Sequence, residues 1–246
     1  VSQSETWLIL GASSSIGRAF ARAAAARGGD IILAGRDTDD LERTARDIAT
    51  TGRAARVLPF DALAYATHAA LAADLASVPG VLNVVLLFGT MPEQSAMDAD
   101  PSLALGCIDS VFTGAVSTLQ HLAPALEKRG SGVVIGFGSV AGDRGRLKNY
   151  VYGAAKSGFH TYLGGLRNRL GRSGVHVMTV KPGFVDTAMT FGLPGLFLVA
   201  SPDSVADACL DAAVKRRDII YVPWFWRFIM LIIRSVPERI FKKLSI

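Results

Sequence analysis

The sequence is short of the residues that build staples and metal sites. Its two cysteines, Cys107 and Cys209, match no ligand spacing, which excludes a disulfide framework and points to buried thiols in a reducing compartment. The four histidines, at positions 68, 121, 160 and 176, are scattered and form no metal motif, so no metal is expected. Basic residues do not form a stripe interleaved with aromatics, so the net charge of +5 does not read as a nucleic-acid surface. The first residues lack a charged segment followed by an apolar one, so no signal peptide is expected and the location reads as cytoplasmic. No linker, repeat or low-complexity tract divides the chain. No apolar run reaches bilayer length either: the main one lies near the C-terminus and is broken by arginines.

What is present is apolar and periodic. Half of the 246 residues are hydrophobic, enough to bury a core without staples. Short continuous apolar runs predict strands at residues 6–10, 31–34, 55–60, 82–88, 132–138 and 175–181. Helical patterns lie between them at 16–27, 39–50, 64–75, within 101–129 and at 151–172. Continuous rather than alternating strands suit a parallel sheet covered on both faces. The expectation is a Rossmann-type, doubly wound α/β domain over residues 1–215, with a helical appendage at 216–246 in the same structural unit.

The first strand runs into Gly11-Ala-Ser-Ser-Ser-Ile-Gly17. In a doubly wound sheet this turn aims a helix N-terminus at the ligand crevice, where free N–H groups and the helix dipole favour an anion. Gly11 permits the tight turn and Gly17 close helix–strand packing, while Ser13, Ser14, Ser15 and Ile16 complete a pyrophosphate cradle. The loop resembles the glycine motif of the short-chain dehydrogenase/reductase family, with Ser15 in place of a middle glycine. After the second strand the chain reads Ala34-Gly35-Arg36-Asp37; relatives preferring NAD usually carry an acid at the position of Gly35, and the Arg36 fork suits a 2′-phosphate. NADP(H) is therefore preferred over NAD(H). The resemblance also implies that Asp61 contacts the adenine, and that Gly89, Pro182, Gly183 and Thr187 lie along the dinucleotide.

A second constellation lies in Gly138-Ser-Val-Ala-Gly142 and Tyr152-Gly-Ala-Ala-Lys156. A tyrosine and a lysine four apart share a helix face, and an ammonium near a phenol lowers the phenol's pKa. By resemblance Ser139 binds the substrate oxygen, Tyr152 exchanges its proton, and Lys156 holds the nicotinamide ribose and tunes Tyr152. Two positions depart from the family: Leu87-Phe88-Gly89 replaces an Asn-Ala-Gly, and Val111 replaces an asparagine that helps to hold a relay water. That relay is then rebuilt or absent.

The segment 188–200 is apolar and reads as a lid over a greasy substrate, or as an ordinary buried segment. Arg144, Arg146 and Lys148 in the loop before Tyr152 read as contacts for a substrate phosphate, or as solvated surface. In the tail, Pro223 is expected to open a helix, and Ser235 and Glu238 to form a capping box for a second, with Pro237 in its first turn. Tryptophans, apolar faces and cations together suit a helix pair lying peripherally on an anionic membrane, or a tail docked on the core or another subunit. Within the family, Phe60-Asp-Ala-Leu63, Ala141-Gly-Asp-Arg144, Val151-Tyr-Gly153 and Val236–Leu244 are similar to the reductase half of decaprenylphosphoryl-ribose epimerases. That likeness implies reduction of a 2-keto sugar on a polyprenyl phosphate after a flavin oxidase partner. The family implies a homodimer or homotetramer. The alternatives are a reductase of a small ketone, steroid or acyl-thioester, and a nucleotide-sensing protein without turnover.

Overall fold

Strand β1 (Glu5–Leu10) shows why the sheet is covered on both faces. Successive side chains alternate in direction, and all five from Thr6 to Leu10 are buried. Trp7 and Ile9 enter one core with Phe20, Leu41 and Val205; Leu8 and Leu10 enter the other with Leu75, Leu119 and Leu163. A fully buried Leu or Ile contributes about 1.5–3 kcal/mol relative to exposure. A strand apolar on both sides therefore belongs inside a sandwich of helices.

The computed structural model describes residues 4–189 and 198–244. The remaining strands are β2 (Asp30–Gly35), β3 (Ala55–Pro59), β4 (Val81–Leu86), β5 (Val133–Phe137), β6 (His176–Pro182) and β7 (Ile219–Val222). All pairings are parallel, in the order β3-β2-β1-β4-β5-β6-β7. Helices α1 (Ser15–Ala26) and α2 (Thr38–Ala49) cover one face. On the other face lies α3 (His68–Ala76). Beyond β4 come α4 (Gln94–Ala99), α5 (Pro101–Ile108) and α6 (Gly114–Arg129), then α7 (Tyr150–Gly171). Both α6 and α7 pack with α3, whereas α8 (Pro202–Val214) joins α1 and α2. This is the expected single α/β unit. Strand order reverses between β1 and β4, so the ligand crevice lies beyond their C-terminal ends.

The expected long helix is interrupted. A wide turn of π-helix, Asp109–Thr113, separates α5 from α6 and contains Val111. Contrary to the expectation that no apolar stretch reaches bilayer length, Pro101–Arg129 is long and apolar enough to cross a membrane by length and composition, yet Leu119, Leu122 and Leu126 are buried in the core beneath the sheet. Three elements went unread in the sequence. The helix α4 is short, α8 follows the apolar segment 188–200, and β7 is a four-residue edge strand.

The tail folds as α9 (Trp226–Ser235) and α10 (Glu238–Phe241), with two corrections to expectation. Pro223 lies three residues ahead of α9 and accepts the Trp226 N–H at 3.1 Å, rather than opening the helix itself. The capping box does not form. The Ser235 hydroxyl donates backwards to the Leu231 carbonyl at 2.8 Å, and Glu238 pairs with Arg144 at 2.8 Å.

Candidate active site

Three features build the anion cradle at the start of α1. Gly11 has φ +85°, and a Cβ there would lie 2.8 Å from the nitrogen of Phe88, two residues past β4. A Cβ on Gly17 would lie 2.7 Å from the Gly11 carbonyl oxygen, so the helix enters as close to β1 as backbone allows. Ser14 caps α1: its hydroxyl accepts the Gly17 N–H at 3.0 Å and donates to the Gly11 carbonyl at 2.9 Å. Ser14 thus shapes the loop internally, and the N–H groups of Ser15 and Ile16 remain without partners among the described residues. Ser15, Asp186, Thr187, Ala188 and Pro202 line a cleft of about 510 Å³ at this helix end. The geometry fits a dinucleotide pyrophosphate.

A second cleft, of about 600 Å³, is lined by Arg36, Phe60, Asp61 and neighbours on α3. Arg36 is exposed and makes no hydrogen bond or ion pair among the described residues. The carboxylate of Asp37 accepts the Asp40 N–H at 3.0 Å, capping α2 rather than pairing with Arg36. Asp61 accepts the Leu63 N–H at 3.0 Å through one oxygen. Ser13 sits beneath β2, its hydroxyl 3.9 Å from where a Gly35 Cβ would be. Gly89, at φ +140°, lies against Val111, whose methyl would be 3.1 Å from a Cβ there.

Tyr152 and Lys156 emerge from the first turns of α7, both buried. The Gln94 side chain of α4 anchors that helix end by accepting the Val151 N–H at 3.1 Å. The Ser139 hydroxyl accepts the Ala141 N–H at 3.1 Å and lies near enough to Tyr152 to favour its phenolate. The Lys156 ammonium donates to the Phe137 carbonyl at 2.7 Å and lies 5.7 Å from the Tyr152 ring centroid. The three residues expected to act together are brought together.

Their electrostatics differ from expectation. Burial dominates both groups, because removing water penalises whichever form is charged. The Tyr152 phenol is pushed well above its ordinary value by burial; the Ser139 hydroxyl opposes this and the neighbouring Cys107 adds to it. Burial pushes the Lys156 ammonium down to about 8, with Cys107 opposing. The expected acidic phenol is therefore absent from the site as it stands, and Tyr152 carries its proton through the neutral range.

Arg144 is also reassigned. One nitrogen of its guanidinium donates to the Ile233 and Val236 carbonyls, each at 2.6 Å, the other pairs with Glu238, and the plane lies 3.6 Å from the Phe241 ring centroid. It clasps the tail, and its donors are committed there instead of to a substrate phosphate. Arg146 has a buried Nε without a hydrogen-bond partner among the described residues. The tail in turn braces the site: Trp226 and Met230 pack on Val140, beside Ser139. The Trp226 ring fills the space a Gly183 Cβ would occupy, 1.9 Å away. Gly183 donates to the Val222 carbonyl at 2.9 Å just after Pro182 ends β6. Sequence reading missed this brace because its partners are some forty to ninety positions apart. The middle of the expected lid, residues 190–197, lies outside the described residues; Met189, Leu198 and Val199 at its ends are exposed.

A family model described as short chain dehydrogenase matches residues 5–193. An uncharacterized oxidoreductase of Mycobacterium tuberculosis is 34% identical over 239 residues, covering 96% of each chain. A ketoacyl reductase of a Nostoc species is 31% identical, covering 89% of this chain and 78% of that protein. Among solved structures, a short-chain dehydrogenase from Sphingobium yanoikuyae in complex with NADPH superposes with TM-score 0.83 at 24% identity, over 95% of this chain and 96% of the other.

Proposed function

Because the chain belongs to the short-chain dehydrogenase family, we propose that it transfers hydride between NADP(H) and a ketone or secondary alcohol, acting chiefly as a carbonyl reductase. The observation that carries this reading is the cluster of half-buried Ser139 with buried Tyr152 and Lys156. The dinucleotide, when bound, supplies the hydride. Gly11, Ser13, Ser15, Ile16 and Gly17 hold its phosphates, with Ser14 shaping their loop. Arg36 takes a 2′-phosphate, Asp61 the adenine, and Gly89, Pro182, Gly183 and Thr187 the nicotinamide side. Ser139 orients the substrate oxygen. Tyr152, protonated in the neutral range, gives that oxygen its proton in the reductive direction. Lys156 binds the ribose.

For the substrate we propose an apolar, lipid-linked carbonyl compound, such as a 2-keto sugar on a polyprenyl phosphate formed by a flavin oxidase partner. The exposed Met189, Leu198 and Val199 beside the site support a greasy ligand, and the orphaned Arg146 Nε supports an anionic one. The tail supports contact with an anionic lipid surface. Trp224, Phe228, Leu231, Ile232 and Ile240 are exposed on its outer side, interspersed with exposed Arg227, Arg234, Arg239, Lys242 and Lys243. A homodimer or homotetramer belongs to the same proposal, supported by exposed Leu103 and Leu105 on α5. The ketoacyl reductase relative favours a second reading, reduction of an acyl-thioester.

NADPH and NADH consumption against a panel of ketones and ketoacyl thioesters tests the reaction. Tyr152→Phe is expected to lower kcat by about 100-fold or more; an unchanged rate refutes the assignment. Flotation on anionic against neutral vesicles tests the surface, with Trp224→Ser/Phe228→Ser/Ile232→Ser expected to abolish binding while the docked face of the tail is untouched.

A further inference from the structure

Behind Ser139 lies a cluster of buried ionisable groups that the proposed reaction does not use. His160 follows Tyr152 and Lys156 at the next four-residue step of α7, so all three project toward the same side. Its imidazole lies between the two glycines that flank the serine turn. A Cβ on Gly138 would be 2.1 Å from His160 Nε2, and a Cβ on Gly142 would be 2.7 Å from its Cε1. Both glycines in Gly138-Ser-Val-Ala-Gly142 thus make room for this ring. The Ser139 N–H donates to His160 Nε2 at 3.2 Å. That bond makes Nε2 the acceptor, which places the ring proton on Nδ1.

Nδ1 faces the Asp143 carboxylate at 3.8 Å. Asp143 is fixed in turn: the Lys181 ammonium donates to one oxygen at 2.6 Å and the Tyr221 hydroxyl to the other at 2.6 Å. The cluster thereby ties the turn after β5 to α7, β6 and the edge strand β7. Each Asp143 oxygen thus has a donor, which fixes the carboxylate 3.8 Å from Nδ1, where it acts on the ring through its charge rather than through a hydrogen bond.

We propose that His160 is a positioning residue for Ser139: its Nε2 holds the Ser139 backbone N–H, and Asp143, steadied by Lys181 and Tyr221, holds the imidazole tautomer that makes this possible. The proposal rests on the reading of Ser139 as the group that orients the substrate oxygen. The Ser139 carbonyl accepts the Gly142 N–H at 3.1 Å and its hydroxyl the Ala141 N–H at 3.1 Å, so His160 supplies the hold on the remaining backbone group, the N–H. Small misplacements of an orienting group are costly: an error of about 1 Å can lower a rate by about 100-fold. Groups facing the ring from neighbouring elements agree with a neutral imidazole. Burial lowers the His160 pKa to about 3, helped by the cations Lys181 and Lys156 and opposed by Asp143. The ring therefore remains a hydrogen-bond acceptor throughout the neutral range, as the task requires.

The test has three arms. His160→Gln keeps an acceptor at comparable reach, and His160→Leu removes it. With the ketone that the unmodified protein reduces best in the panel above, Leu is expected to lower kcat by about 10- to 100-fold with little change in the KM for NADPH. Gln is expected to restore most of the loss. Equal rates for Gln and Leu, or a loss confined to NADPH binding, would leave His160 a space-filling residue and overturn the proposal. Tyr221→Phe removes only one donor to Asp143 and is expected to lower kcat by about two- to fivefold; no change refutes the role of the cluster. The third arm needs no substitution and no substrate. Nitrogen-15 shifts of the His160 ring are expected to report a neutral Nδ1–H tautomer that does not titrate between pH 5 and 8. An Nε2–H tautomer, or a titration in that range, overturns the proposal even if all variants fail to fold. If no ketone is reduced and Tyr152→Phe behaves as the unmodified protein does, the catalytic reading fails while the ring-shift result still stands.

Discussion

Replacing Lys156 by methionine should stabilise the dinucleotide-free protein while destroying its proposed activity. The Lys156 ammonium is buried, and burial brings its pKa from 10.5 to about 8. At about 1.4 kcal/mol per unit, that gap makes the charged form about 3 kcal/mol less favourable in the fold than in the unfolded chain. Methionine has a similar length and no charge, so this cost disappears. The hydrogen bond to the Phe137 carbonyl is lost with it, which costs about 1–2 kcal/mol. A net gain of about 1–2 kcal/mol corresponds to a Tm rise of about 2–8 °C for a chain of this size. The pH dependence has a definite sign. Below the folded value of about 8 the lysine is protonated in both states and its cost is present in full. Between about 8 and 10.5 the unfolded chain binds more protons than the folded one, so the unmodified protein gains stability as pH rises and the gap to the variant closes. Reversible unfolding of both proteins at pH 7 and pH 10, without dinucleotide, measures this directly. A variant less stable at pH 7, or a gap that does not change with pH, would refute the assignment of a desolvated ammonium.

Three further outcomes are expected. Arg144→Ala should free α9 and α10, speeding hydrogen exchange over residues 226–241 by about tenfold or more, since hydrogen bonds from a charged donor contribute about 1.5–3 kcal/mol; Arg144→Lys should not restore protection, because an ammonium lacks the fork. Unchanged exchange would show that the tail is held elsewhere. Arg36→Asp should lower the NADPH-to-NADH ratio of kcat/KM by about 10- to 100-fold, measured with one ketone and both dinucleotides; an unaltered ratio removes Arg36 from the 2′-phosphate. Val111→Asn should introduce an amide into the wide turn beside Gly89 and raise kcat by about three- to tenfold, with a shifted pH profile. Identical rate and profile would show that proton exit does not pass this point.

Much of the scaffold was legible because its causes are local. Continuous apolar runs predicted six parallel strands within a few residues of their ends, since a strand buried on both faces has no room for polar alternation. Strand β7 escaped because four residues at a sheet edge, with Ile219 exposed, carry too little pattern. The anion loop and the Tyr152–Lys156 pair were readable for the same reason: a tight turn and one helical repeat are encoded in neighbouring residues. Ser14 was readable as part of the loop but not as its internal cap, which depends on where its hydroxyl settles.

The sequence by itself determined which groups share a helix face, which turns need glycine, and which family the pattern resembles, because these follow from backbone geometry over a few residues. Tertiary structure alone decided how those groups behave. It assigned Arg144 to the tail through partners about ninety positions away, set His160 between two glycines, and pressed Trp226 onto Gly183. It also reversed the expected acidity of Tyr152, because desolvation depends on everything packed around a group and no spacing along the chain records that.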